Sequence, residues 1–581
     1  MSEPGSFCLV LHAHIPYVLG HGTWPHGSRM LYDAAAATYL PLLKMCEALM
    51  AEGIRPAITI GITPVLAEQL ADDRFKEWFP GYLRERAQLA EANEDEFRRR
   101  GDPHLAYLAS QWANRFWELH RFFCEDLGYD IIGAFRRLQD AGAIEIMTSA
   151  ATHGYLPLLR EDASIQAQVR TGIQSYVRHF GRWPRGFWLP ECAYRPRCRW
   201  APPAEIQHPD GHTWLRKGIH EFLAENGIDY FIIDTHMLDR GGDPLAVDIH
   251  YEDTLGKLWG RITRRPEPPR PSWEKSPFFA YFVGELFEDY PPVACLVRNP
   301  DTSLQVWSRD VGYPGDFWYL EFHKKHIPGD HRYWRVTDDS GDLEGKQPYD
   351  PDMAASRVWE HAGHFVGMVH DILEHQPRPF GRRPVLCAPF DAELFGHWWY
   401  EGIDWLAQVI RWINQDPRVE CQTCREYLAC SPPATAVTLP EGSWGAGGGH
   451  QMWLNEETVW SWRRIYDAEL EMQALAQHFA FTEDQQLLEF LRQAARELLL
   501  LQPSDWQFMI STKYAPDVAA ARIVCHHSDF KKVAELARRW ARHEWLSQED
   551  WAYFGELRNR NRPFADVDPR WFAYVDHPAS G

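Results

Sequence analysis

The sequence predicts an α/β protein built on a barrel of the (β/α) type, with a helical insertion and a C-terminal α-helical domain. Three observations lead there. Short apolar, strand-like runs recur through residue 390 with helical patterns between them. Residues capable of chemistry stand just past the ends of those runs. From about residue 456 onward the apolar spacing is helical to the end.

The runs are FCLVLH at 7–12, AITIGI at 57–62, AIEIMTSA at 143–150, GFWL at 186–189, YFIID at 230–234, VACLV at 293–297 and VLCAPF at 385–390. Strands that alternate with helical stretches form βα units and a parallel sheet. This many units suits a barrel better than a small open sheet. Such a barrel carries its chemistry in the loops that follow its strands. The sequence obeys that rule. His12 and His14 follow the first run, Thr63 and Pro64 the second, His153 the third and Glu191 the fourth. Asp234 and His236 close the fifth, and Asp391 ends the last. One shared site at the C-terminal mouth of the barrel is expected.

The expected organisation is a catalytic barrel over 1–420 and a helical domain over 421–581. Within the barrel, residues 66–128 are charged and helical and read as an inserted subdomain. Residues 239–290 hold the Pro-rich RRPEPPRPSWEKSP and read as a loop insertion near the site; residues 327–351 form a second long polar loop. The connector SPPATAVTLPEGSWGAGGGH leads to the helices EETVWSWRRIYDAELEMQALAQHF, DQQLLEFLRQAARELLLL and FKKVAELARRWARHEW.

Composition narrows the function. Hydrophobic residues make up 45% of the chain and charged ones 24%, ordinary values for a globular protein. A formal charge of −21 repels phosphate backbones, which disfavours nucleic acid as a partner. No run approaches the ~20 apolar residues of a membrane span. The opening MSEPGSFCLVLHAHIPY does not read as a secretory leader, and the 11 scattered cysteines do not form a disulfide framework, so the cytoplasm is expected. The 27 tryptophans can fill the core or make platforms for the apolar faces of sugar rings.

Glycoside chemistry needs two carboxyl groups, one of them an acid with a raised pKa. Glu191 and Asp391 both follow strand-like runs, and Phe390, Phe395, Trp398 and Trp399 can desolvate the second. Plainer roles exist: Asp391 as a helix N-cap and Glu191 as a first-turn carboxylate. The H-x-H pair with His153, Asp234 and His236 suits either a metal cluster or a set of hydrogen-bonded imidazoles. Cys421 and Cys424 make a lone C-x-x-C, a weak zinc signal.

HAHIPY, GITP, GFWLPECAY, APFDAELFGHWWYEG and the segment from Trp444 to Trp462 resemble the five ordered signature regions of glycoside hydrolase family 57. The forms WLPE and FDAELFGHWW, with VWSRDVGYPGDFWYLEFHKK at 306–325, look most like its 1,4-α-glucan branching members. The resemblance implies an incomplete (β/α)7 barrel with a helical insertion and a C-terminal α-helical domain. It implies a retaining double displacement, with Glu191 as nucleophile and Asp391 as general acid/base. It places His12, His14 and His153 at the donor subsite, and Trp24, Trp307, Trp444 and Trp453 along the glucan groove. Asp505, in PSDWQF, matches a residue reaching in from the helical domain. No metal or other cofactor is implied. The implied partner is an α-1,4-glucan, acted on by a monomer or small homo-oligomer. Branching members carry a Tyr at the tip of a mobile loop, for which Tyr251, Tyr281 and Tyr290 are the candidates. Amylases and 4-α-glucanotransferases share the chemistry and differ in acceptor. A non-catalytic glucan-binding protein would have lost a carboxylate, and both are present.

Overall fold

The computed structural model describes residues 4–203, 213–238, 247–248, 261–262, 275–284, 291–308, 311–378, 381–479 and 481–573. Its main sheet uses β1 (Gly5–Ala13), β2 (Ile58–Ile62), β3 (Ile144–Ser149), β4 (Gly186–Trp188), β5 (Tyr230–Ile233), β6 (Tyr281–Val283), β7 (Ala294–Val297), β8 (Val385–Asp391), β9 (Val419–Cys421) and β10 (Ala436–Val437). The seven runs read from the sequence are β8, β1, β2, β3, β4, β5 and β7 in spatial order, and every pairing among these neighbours is parallel. The seam between β7 and β8 is joined by one parallel bridge, Arg298 to Cys387, with the Asn299 N–H donating to the Cys387 carbonyl at 2.8 Å. The sheet therefore curls into the incomplete barrel that was expected.

Short edge strands extend it. β6 pairs antiparallel with β7, and β10 pairs with β6. β9 pairs with Gly5–Phe7 of β1, below the stretch that β2 covers. The sheet thus continues to Val437, past the expected boundary at 420.

Both faces of a parallel barrel are buried, and alternation decides which side chains face inward. Cys8 and Val10 of β1, Trp188 of β4, Ile232 of β5, Leu296 of β7, and Val385 and Cys387 of β8 form the interior cluster. Phe7, Leu9 and Leu11 pack outward against the helices. Continued by two-residue steps, the inward rows reach His12, Asp234, Arg298 and Asp391 at the C-terminal mouth. The strand period alone therefore gathers polar groups there.

Residues of the expected helical insertion form a hairpin, Asp73–Arg100 and Pro103–Arg121. Asp72 caps the first helix through the Arg74 N–H at 2.8 Å, and Asp102 caps the second through the Leu105 N–H at 3.0 Å. Beyond the barrel lie the helices Val459–Phe479, Gln485–Leu501, Ser504–Ser511, Pro516–Ala541 and Gln548–Arg560. The third of these reaches the barrel mouth, where Ser504 meets Glu191 and Asp505 meets His14. Most of the 239–290 stretch, including Tyr251 and Tyr290, lies outside the described residues. Tyr281 is described and cannot serve a loop tip: it is 1% exposed in β6 and donates to the Ser276 carbonyl at 2.8 Å.

Candidate active site

Glu191 follows β4 in a tight turn over Pro190–Cys192, with φ 61° and ψ 24°. That left-handed conformation excludes the first-turn helical role. The turn is closed by Cys192 N–H to the Leu189 carbonyl at 2.8 Å and Ala193 N–H to the Pro190 carbonyl at 3.0 Å. The side chain is 15% exposed and held by two donors. Ser504 Oγ donates to Oε1 at 2.8 Å, and Trp444 Nε1 donates to Oε2 at 2.8 Å. Burial pushes the Glu191 pKa up, while those two hydrogen bonds draw it back toward the ionised form.

Ser504 links Glu191 to the histidines. His153 Nδ1 lies 2.9 Å from Ser504 Oγ, and His153 Nε2 lies 3.1 Å from His12 Nε2. The serine has one proton. Given to Glu191, it leaves Ser504 to accept from His153 Nδ1–H. His153 Nε2 must then accept from His12 Nε2–H, and His12 Nδ1 is a bare acceptor. That atom is indeed buried with no partner. Both rings are held neutral: burial lowers the His12 and His153 pKa values well below the usual range, and the nearby His14 lowers them further. His12 also stacks on Trp188 with centroids 4.5 Å apart.

His14 behaves oppositely. Burial disfavours its charge, but Asp505 outweighs burial and raises the pKa. Nε2 lies 2.9 Å from Asp505 Oδ2 and Nδ1 lies 3.0 Å from Thr63 Oγ1. His14, His153 and Asp505 present ligand atoms within 4.8 Å of one another and could hold an ion. Each imidazole nitrogen of the two histidines already has a hydrogen-bond partner, so the hydrogen-bonded reading accounts for them. Asp234 and His236 stand apart from this cluster. Asp234 accepts from Arg298 Nη1 at 3.1 Å, and His236 Nε2 meets the Gly448 carbonyl at 3.1 Å. Nor do the two cysteines of the C-x-x-C turn to a common point. Cys421 Sγ donates to the Pro56 carbonyl at 3.7 Å, while Cys424 interacts with Cys387 and Cys8 inside the barrel.

Asp391 ends β8, beside His12 in the β1–β8 ladder. The imidazole chain therefore starts next to one carboxylate and ends at the other. Asp391 precedes a short turn over Ala392–Leu394, but its side chain makes no capping hydrogen bond. Burial pushes its pKa up to about 8, with the charges of Glu393 and Glu191 adding to the shift. Glu393 is itself pushed up to about 7 by burial, and accepts from the His14 N–H at 3.0 Å and from the Tyr39 hydroxyl. The structure thus holds one carboxylate by donors and sets the other where burial favours its protonated form.

The structure brings His12, His14, His153, Glu191, Trp444 and Asp505 into one hydrogen-bonded or stacked group, with Asp391 beside it. Trp444 is half-buried, edge-on to Trp188 at 5.2 Å, and Arg298 lies 5.5 Å from its ring. The other aromatics lie elsewhere. Trp307 ends the helix Pro300–Trp307 and meets Trp398 at 6.4 Å. Trp24 is 72% exposed on the connection after β1. Trp453 departs from the groove position expected of it. It is 1% exposed, stacked on Tyr155 at 4.4 Å, and too enclosed to offer a ring face to a sugar. Sequence reasoning missed Ser504, Glu393 and Arg298. Arg298 was findable, since it follows a strand run directly, in VACLVRNP.

Comparisons with known proteins identify the family. Residues 8–440 match the model of glycosyl hydrolase family 57, and residues 464–572 match the C-terminal model of 1,4-alpha-glucan branching enzymes. The 1,4-alpha-glucan branching enzyme TK1436 of Thermococcus kodakarensis is 40% identical over 570 residues, covering 97% of this chain and 78% of that relative. Its crystal structure, in complex with glucose and additives, superposes with a TM-score of 0.87 at 38% identity, covering 99% of this chain and 97% of that one. A family 57-type branching enzyme from Pyrococcus horikoshii gives 0.86 at 37% identity over 99% and 98% of the two chains. The alpha-amylase AmyC of Thermotoga maritima gives 0.79 at 26% identity over 99% and 100%. The chain belongs to glycosyl hydrolase family 57.

Proposed function

We propose that the chain is a 1,4-α-glucan branching enzyme: a retaining transglycosylase that cleaves an α-1,4 bond and forms an α-1,6 bond through a covalent glycosyl-enzyme. The observation that carries this reading is the pair of partly buried carboxylates in unlike settings. Glu191 is held by two donors, and Asp391 is pushed up to about 8. Such a pair divides the roles of nucleophile and acid. The likeness to branching enzymes along both parts of the chain supports the choice of acceptor.

In this mechanism Glu191 attacks C1 of an α-1,4-glucan and forms a β-linked ester, while Asp391 gives its proton to the departing 4-oxygen. The 6-hydroxyl of a second glucan then attacks C1. Asp391, now a base, takes its proton, and the Glu191 ester bond breaks. His14 and Asp505 would hold hydroxyls of the donor sugar, with Trp444 beside it. Trp24 and Trp307 would extend the groove. The partner is an α-1,4-glucan such as amylose or glycogen, and a cytoplasmic monomer or small homo-oligomer is the form we expect. No described helix is long and apolar enough to cross a membrane.

The structural likeness to AmyC supports a second reading, in which water is the acceptor and the product is a shortened chain. Incubation with amylose separates the two. New α-1,6 linkages in large excess over new reducing ends are expected; mostly reducing ends would replace branching with hydrolysis.

A further inference from the structure

Away from the carboxylates an open pocket of about 620 Å³, part of it solvent at the mouth, lies between the helical hairpin and the segment after Asp391. Its walls carry five cations: Arg29, Arg86, Arg115, Lys325 and Arg332. Arg29 is neutralised, pairing with Asp33 at 3.6 Å and Asp330 at 2.7 Å, the two carboxylates of the lining. The other four make no ion pair among the described residues. Glu401 and Asp404 are the carboxylates behind the walls that feel Arg332 and Arg115.

Two of the four are buried. Arg86 and Arg332 are each 9% exposed. Arg86 Nε is buried with no hydrogen-bond partner. Arg332 donates Nη1 to the His397 carbonyl at 3.3 Å, and burial, Arg115 and Arg86 lower its pKa to about 10 against the opposing pull of Glu401. Rings take the place of counter-ions. Arg86 lies 5.3 Å from Phe116, Arg115 4.9 Å from Tyr400, and Arg332 and Lys325 each 5.5 Å from Phe322. Unpaired buried guanidinium groups are costly, and in a chain of net charge −21 carboxylates to pair them are plentiful. Asp33 and Asp330 also act on Lys325, so two carboxylates face five cations, and the positive excess left facing one concavity points to an anion from outside the chain.

We propose that this pocket is a second binding site, separate from the carboxylates, for a phosphate monoester on a sugar-sized body. Planar guanidinium forks match phosphate oxygens. Trp112, Phe116 and Tyr400 give the body an aromatic wall.

Isothermal titration of the full chain at physiological ionic strength tests this, with inorganic phosphate, glucose 6-phosphate and glucose as probes. Glucose 6-phosphate is expected to saturate at least as tightly as phosphate, and glucose not to bind here. Arg332→Gln and Arg115→Gln should each weaken glucose 6-phosphate about tenfold or more, the worth of one charge-assisted contact. Branching of unphosphorylated amylose should stay unchanged in both. Arg115 is only half-buried, so its variant keeps the test alive if Arg332→Gln misfolds. Absence of saturable phosphate-ester binding, or binding that neither substitution weakens, overturns the proposal.

Discussion

Ser504 is a modest side chain at a demanding place, and Ser504→Ala tests the reasoning about Glu191. The substitution removes the 2.8 Å donor on Oε1 and leaves the Trp444 donor on Oε2 in place, so the carboxylate stays where it is. A hydrogen bond to a charged group contributes about 1.5–3 kcal/mol, and one pKa unit is about 1.4 kcal/mol. Losing a bond that favours the ionised form should therefore raise the Glu191 pKa by about one to two units. A nucleophile must be ionised, so the acid limb of kcat/KM should move to higher pH by the same amount. The loss should be largest at low pH and shrink as pH rises. The assay is branch formation from amylose between about pH 5 and 9, with Ser504→Thr as the control that restores the hydroxyl. An acid limb in Ser504→Ala that overlays the wild type would refute the link from Ser504 to Glu191.

Other consequences can be checked on the same protein. Glu191→Gln is expected to lose at least ~10³-fold in kcat while its melting temperature stays near that of the wild type, as removal of a nucleophile does elsewhere; near-normal turnover would end the assignment. The alkaline limb of kcat/KM should lie near pH 8, where Asp391 loses its proton, and Glu393→Gln should shift it to lower pH by removing a charge that raises Asp391. The same shift bears on stability. The folded value lies above the ~3.9 of an unfolded aspartate, so the stability Asp391 supports is present below that value and lost as pH rises to about 8. Asp391→Asn should accordingly gain melting temperature relative to wild type across that window, measured by calorimetry. Chelator treatment should leave activity unchanged; its loss would assign an ion to His14, His153 and Asp505.

The barrel was legible because both faces of its strands are buried, so they announce themselves as mostly apolar runs with polar groups at their ends. The same physics put Glu191, Asp391, His12, His14 and His153 at or just past the ends of those runs, and Arg298 likewise. β9 was not legible because the exposed Glu420 at its centre interrupts any apolar run, and β10 has only two residues to read. Trp453 shows a different limit. An aromatic ring serves a core and a sugar platform equally well, and only the Tyr155 stack decides which. Ser504 shows a third. It meets Glu191 across 313 residues, and no local pattern distinguishes it from any other serine.

Backbone strain explains why the helical region matters to the barrel's chemistry. His153, Glu191 and Cys192 all hold left-handed φ angles, of 58°, 61° and 48°. Glycine would adopt these without cost, but only a side chain can act, and each such residue costs about 1–3 kcal/mol that its surroundings must offset. The restraints come from later in the chain. The Trp444 N–H donates to the Glu191 carbonyl at 3.0 Å, and Tyr194 and Gly442 exchange backbone bonds of 2.8 and 3.1 Å just beyond it. The Ser504 N–H donates to the His153 carbonyl at 3.0 Å. So the segments that supply side chains to Glu191 also fix the backbone that aims it. Trp444 does so from 253 residues away, and Ser504 from the first turn of a helix beyond the barrel. A barrel without those segments would keep its strands and its carboxylates, yet lose both donors on Glu191 and the clamps on its strained turn. On the mechanism proposed, the helical region is therefore part of the site, and catalysis requires that both parts of the chain fold together.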